Sequence, residues 1–165
     1  MTKGDADAPH VHIQMLSQPR YLCGARELIL ATMSRFGFNE LGCSQIALAV
    51  DEALANVICH GYERQPTGKI WVSIWPLDES ADGDVGGARI IIEDEARQVD
   101  PDQIKGRDLD KVRPGGLGVH IIREVMDHVE YTKRDACGMR LVLEKRIDLS
   151  DDADSPDSNN GDNEK

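Results

Sequence analysis

Positive charge is in short supply in this 165-residue chain: 19 Lys and Arg stand against 30 Asp and Glu, a formal net charge of −11. Nucleic acids and anionic membranes are held largely through Lys and Arg, so the balance argues against both as general partners. The excess of acid is uneven, because residues 148–165 carry seven acids and one base and leave a mildly acidic body. Cysteine is sparse too. Cys23, Cys43, Cys59 and Cys137 include no CxxC pair, which argues against a zinc site or disulfide framework and predicts reduced, mostly buried thiols. No uninterrupted apolar run reaches the roughly 18 to 20 residues that span a bilayer, and the opening MTKGDADAPH is too polar for a signal peptide. A cytoplasmic location is expected. There is no internal repeat, and the length suits one domain rather than two.

What is present is globular: 40% apolar and 30% charged residues. Residues 1–9 read as a flexible arm, 10–147 as the folded domain and 148–165 as a disordered acidic tail. Residues 10–17 (HVHIQMLS) alternate as a strand does. Pro19 suits a first helical turn, and apolar residues at spacings of three and four run to Phe36 before Gly37 ends the helix. Asn39 can cap a second helix running to about His60, with Gly61 as terminator. Two strands follow, KIWVSIWPL and ARIIIED, joined by a polar loop. The polar stretch 96–115 is a long loop, and such loops in compact domains are usually functional. GGLGVHIIREVMDHV opens a third helix, and VEYTK with GMRLVLEKR forms a terminal hairpin. The order β, α, α, β, β, α, β, β predicts an α+β fold: a two-layer sandwich with a mostly antiparallel sheet and helices on one face. Trp71 and Trp75 share one strand face, with core packing the default expectation and an interface anchor the alternative.

Three groups of residues carry chemistry. Glu52, Asn56 and His60 are spaced at i, i+4 and i+8, so they share a helix flank. A carboxylate there can accept a proton from a hydroxyl, and an amide oxygen suits a hard cation such as Mg²⁺. The bland reading is a solvated face. Arg113-Pro114-Gly115-Gly116-Leu117-Gly118 precedes an apolar helix, where unobstructed N–H groups make an anion site. The bland alternative is a tight turn. Asp94, at a strand end, can accept from the exocyclic amine of a purine, or simply cap a loop.

In this order and spacing the three groups resemble the ATP-binding core of the GHKL (Bergerat) superfamily, shared by gyrase-type topoisomerases, sensor histidine kinases and anti-sigma serine kinases. Asp51-Glu52-Ala53-Leu54-Ala55-Asn56 looks like its N-box. The flanks LAVDEALANVICHGY, Val99-Asp100-Pro101 and GGLGVHIIREVMDHVEY are similar to the bacterial anti-sigma factor and serine-protein kinase family, over roughly residues 10–146. The resemblance implies Glu52 as general base, Asn56 as the Mg²⁺ ligand at the ATP phosphates, Asp94 on the adenine amine, and the backbones of Gly116 and Gly118 along the phosphates. It implies residues 102–113 as an ATP lid, with Lys105, Arg107, Lys111 and Arg113 available to offset phosphate charge. It further implies a sigma factor or comparable regulator and an anti-sigma antagonist as protein partners, and a homodimer.

One motif departs. The superfamily's Asp-x-Gly, often with a further glycine two residues on, here reads Asp94-Glu95-Ala96-Arg97-Gln98. If position 96 needed left-handed backbone, the alanine Cβ would cost about 1 to 2 kcal/mol, about a tenfold loss of nucleotide affinity. Gln98 would add bulk beside the pocket. Two functions are therefore expected: an ATP-dependent serine/threonine-protein kinase acting on an anti-sigma antagonist in a partner-switching pathway, or a catalytically weak or inactive module that only holds a partner. A detached histidine-kinase catalytic domain is a third, disfavoured by the short lid and the N-box flanks.

Overall fold

The computed structural model describes residues 8–104 and 117–147. Expectations for residues 1–7, for Lys105, Arg107, Lys111, Arg113, Gly115 and Gly116, and for the 148–165 tail lie outside the described residues.

Strand β1 (Val11–Leu16) leads through a 3₁₀ turn at Pro19–Tyr21 into α1 (Leu22–Phe36). Gly37 takes φ 98° and closes α1, its N–H donating back to Ser34 O at 3.2 Å. The Asn39 side chain then accepts from Gly42 N at 2.8 Å and starts α2 (Glu40–Asn56). The helix does not run regularly to His60. Its last turn, Val57–Gly61, widens to π geometry, a local insertion that an apolar period does not reveal. Strands β2 (Lys69–Leu77) and β3 (Gly87–Asp94), a 3₁₀ turn at Pro101–Gln103, α3 (Leu117–Val125), and strands β4 (His128–Lys133) and β5 (Met139–Arg146) complete the described elements.

The sheet order is β1-β2-β3-β5-β4, with every neighbouring pair antiparallel. The α+β sandwich is as expected. Period-two alternation turns Ile70, Val72 and Ile74 of β2, Ala88, Ile90 and Ile92 of β3, and Leu141 and Leu143 of β5 into one core with the helices. α2 is the central helix, packed between α1 and α3. Its Ala47, Ala49 and Ala53 are buried, small enough to let helices approach, while Ile46, Val50 and Leu54 fill the core at about 1.5 to 3 kcal/mol each.

Three expectations change. Trp71 and Trp75 do not join the inter-layer core, because the same alternation puts them half-buried on the outward sheet face. There Trp71 Nε1 donates to Gln14 Oε1 at 3.0 Å, and the Arg134 guanidinium lies 5.4 Å from its ring centroid. Only Cys43 is a buried thiol; Cys23 and Cys137 are exposed. Burial pushes the Cys43 thiol up, so it stays protonated and inert. Finally, the helix Glu40–Gly61 contains an 18-residue window of mean hydropathy 1.3, long and apolar enough to cross a membrane by length and composition. Polar side chains punctuate this segment, so it holds no long uninterrupted apolar run, and it is the middle helix of the fold.

Candidate functional site

Between α2, the end of β3 and the start of α3 lies a cavity of about 520 Å³. Ile92, Val99, Ile104, Tyr131 and Leu141 give it apolar walls, and Asn56, His60, Asp94, Arg97 and Gln103 add polar groups. Such a mixture suits a flat, partly polar ligand. Burial pushes the Tyr131 hydroxyl up to about 12, so it is a donor at any ordinary pH.

Asp94 is 4% exposed. Its Oδ1 accepts from Ala96 N at 2.8 Å and Met139 N at 3.2 Å, so among the described residues Oδ2 is the oxygen left to accept from a ligand. Burial raises its pKa, and the two N–H groups pull the other way. β5 supplies the second donor because Glu93 pairs with Arg140, which puts Met139 beside Asp94.

The strain anticipated at Ala96 is absent. Among the described residues only Glu63, Arg64 and Asp78 have positive φ without being glycine. Room for the Ala96 methyl comes from across the site: a Cβ on Gly61 would sit 3.1 Å from it. Gln98 does not line the cavity; its Nε2 donates outward to Arg134 O at 2.5 Å. Neither departure from the glycine motif fills the pocket.

Glu52 and Asn56 meet α3 at Gly118. A Cβ built there would lie 2.5 Å from Glu52 Oε2 and 3.4 Å from Asn56 Nδ2. The chain thus has a bare backbone against a carboxylate and an amide, in the first turn of a helix whose N–H groups lack intrahelical acceptors. Asn56 and Gly118 line the cavity, whereas Glu52 stands behind Gly118 and does not. Asp51, one residue earlier, pairs instead with Arg26 on α1. His60 lines the cavity from the π turn and is exposed. Gly116 and Arg113, expected at the phosphates, lie outside the described residues.

The residues that hold Asp94 in place went unread in the sequence. Tyr62 OH accepts from Glu95 N at 2.8 Å and donates to Lys69 O at 2.6 Å. Arg134 Nη1 donates to Asp94 O at 2.6 Å. Gly138, at φ +79°, comes so near that a Cβ would fall 1.8 Å from Asp94 O. The HGY triplet following the helix was the one sequence signal for Tyr62; Arg134 and Gly138 depend on a pairing 40 residues away, which no local pattern discloses.

Residues 15–145 match the family model described as histidine kinase-like ATPase domain. Among curated proteins, the chain is 26% identical over 139 residues to "Serine-protein kinase RsbW" of Listeria monocytogenes serotype 4a (strain HCC23), covering 83% of this chain and 87% of that one. It is 25% identical over 150 residues to "Serine-protein kinase RsbW" of Bacillus subtilis (strain 168), covering 86% and 88%. Among solved structures, the histidine kinase domain from Erythrobacter litoralis EL346 blue-light activated histidine kinase aligns with TM-score 0.49 and 18% identity, over 78% of this chain and 60% of that chain.

Proposed function

This chain belongs to the histidine kinase-like ATPase domain family, and on that premise we propose that it is an anti-sigma regulatory factor that binds ATP with Mg²⁺ and phosphorylates a serine or threonine of an antagonist protein. The observation that carries the reading is the meeting of Glu52 and Asn56 with the bare backbone of Gly118 beside a cavity that also holds buried Asp94. The relatives named serine-protein kinase support the reaction class.

The donor set fits the ligands. A buried carboxylate with one oxygen to spare suits an amine donor, apolar walls suit a purine, and a helix start that a single Cβ would crowd suits phosphate oxygens. ATP supplies the γ-phosphoryl group, and Mg²⁺ offsets its charge. Asp94 accepts from the adenine amine, and Asn56 offers its amide oxygen to Mg²⁺. The backbones of Gly118 and Gly116, with Arg113, hold the phosphates. Glu52 takes the proton of the target hydroxyl as its oxygen attacks phosphorus, the bond to the β-phosphate oxygen breaks, and ADP leaves. The ATPase domain is assigned to residues 10–147, flanked by an arm and an acidic tail. A sigma factor or comparable regulator is the held partner, in a homodimeric assembly. The binding-only alternative rested on Ala96 and Gln98, and with Ala96 unstrained and Gln98 outside the cavity it loses its support.

The test is transfer of labelled γ-phosphate from ATP to candidate antagonist proteins. Glu52→Gln is expected to lower the transfer rate by about 10² to 10⁴ while ATP still binds. Undiminished transfer by Glu52→Gln rejects the assigned base, and no transfer by the wild type to any antagonist of this pathway class rejects the kinase.

A further inference from the structure

Arg134 lies in the turn between β4 and β5 and does not line the cavity. Its side chain nevertheless reaches three residues on two neighbouring strands, β3 and β2. Nη1 donates to Asp94 O at 2.6 Å, Nε lies 3.5 Å from Glu93 Oε1, and the guanidinium carbon sits 5.4 Å from the Trp71 ring centroid. Its own carbonyl accepts from Gln98 Nε2 at 2.5 Å, and its N–H donates to Gly138 O at 3.1 Å. Asp94 is the last residue of β3, so its carbonyl stands at the end of the ladder and needs a donor from elsewhere. A guanidinium can serve that carbonyl and the Glu93 carboxylate at once while lying over an indole; a lysine ammonium has no such planar fork.

The two halves of Asp94 are thereby gripped by one hairpin. Arg134 takes its main-chain oxygen, and Met139 N takes its Oδ1. Gln98, at a position where the family pattern has glycine, ties the chain beyond the motif to the same turn. We propose that Arg134, assisted by Gln98, is a positioning residue for purine recognition: it fixes the Asp94 backbone so that the carboxylate meets the exocyclic amine of the base. The inference rests on the reading of the cavity as an ATP site. A guanidinium that merely staples the hairpin would affect stability and leave base selectivity alone, which makes the two roles separable.

The experiment is calorimetric titration of Mg·ATP and Mg·ITP into the full chain, wild type and the variants Arg134→Ala, Arg134→Lys and Gln98→Ala, with a thermal melt of each. ITP carries a carbonyl oxygen where ATP has the amine, so the exocyclic donor that Asp94 accepts from is replaced by an acceptor. The wild type is expected to prefer ATP by about tenfold, the scale of one hydrogen bond to a charged group. Arg134→Ala is expected to lose most of that preference through weaker ATP binding at nearly constant ITP affinity. Arg134→Lys follows in the same direction, and Gln98→Ala shows a smaller loss on an intact hairpin, so the inference stays testable if Arg134→Ala does not fold. Equal losses for the two nucleotides, or an unchanged preference in both Gln98→Ala and Arg134→Lys, overturn it and leave the ATP reading standing. A wild type that binds neither nucleotide overturns both.

Discussion

Gly118 shows how one missing side chain shapes the site. With a Cβ only 2.5 Å from Glu52 Oε2, Gly118→Ala forces the carboxylate to swing away, and because the atom displaced is the end of a flexible side chain the fold has room to adjust. The expected result is a phosphotransfer rate lowered at least about tenfold, from misplacement of the base, with a melting temperature within a few degrees of wild type. A rate within twofold of wild type in the same assay would contradict the placement of Glu52. Ala96 teaches the converse. A residue where glycine is customary causes no strain when the backbone there needs no positive φ and the room for its methyl is supplied by Gly61.

At the scale of elements, the turn from α3 into β4 is locked to the end of β5 by Asp127. Lys145 Nζ donates to its Oδ1 at 2.8 Å and Arg146 N to its Oδ2 at 2.7 Å. Burial alone would raise the Asp127 pKa, but the bonds from Lys145 and Arg146 outweigh it and hold it below the ordinary 3.8. A depressed carboxylate contributes stability that is present above the unfolded value and is lost as pH falls through the folded one. Asp127→Asn is therefore expected to melt lower than wild type at neutral pH, with the gap closing as pH falls past the ordinary carboxylate value and through the lowered folded one, where the wild-type carboxylate is protonated too. A gap that stays constant with pH would refute the charge-based account.

The same scale explains what was legible. β2 was legible to the residue, and β1, α1, β3 and the hairpin nearly so, because each announces itself by a local period and a turn residue. Glu52 and Asn56 were legible because one helix carries both. The π turn was not, since VICHG continues an apolar period and the widening is a matter of backbone hydrogen bonding. Nor was the insertion of β5 between β3 and β4, which delivers Met139, Arg134 and Gly138 to Asp94. That contact is a product of sheet order, and sheet order is decided by packing across the whole domain.

For the molecule as a whole, the sheet, the helices and the cavity form one device. The apolar face of the sheet supports α2, α2 presents Glu52 and Asn56 to α3, and β5 braces Asp94 from the other side. A net charge of −11 does not exclude an anionic nucleotide, because backbone N–H groups at a helix start act at short range, whereas the average charge of the chain is screened. The claim on which everything else depends is that this cavity binds ATP through Asp94 and Asn56. Calorimetric titration of Mg·ATP into the wild type, Asn56→Ala and Asp94→Ala tests it directly. Saturable binding by the wild type, weakened at least about tenfold in each variant, is the predicted result; no saturable binding by the wild type at millimolar ATP, or undiminished binding in both variants, would contradict it.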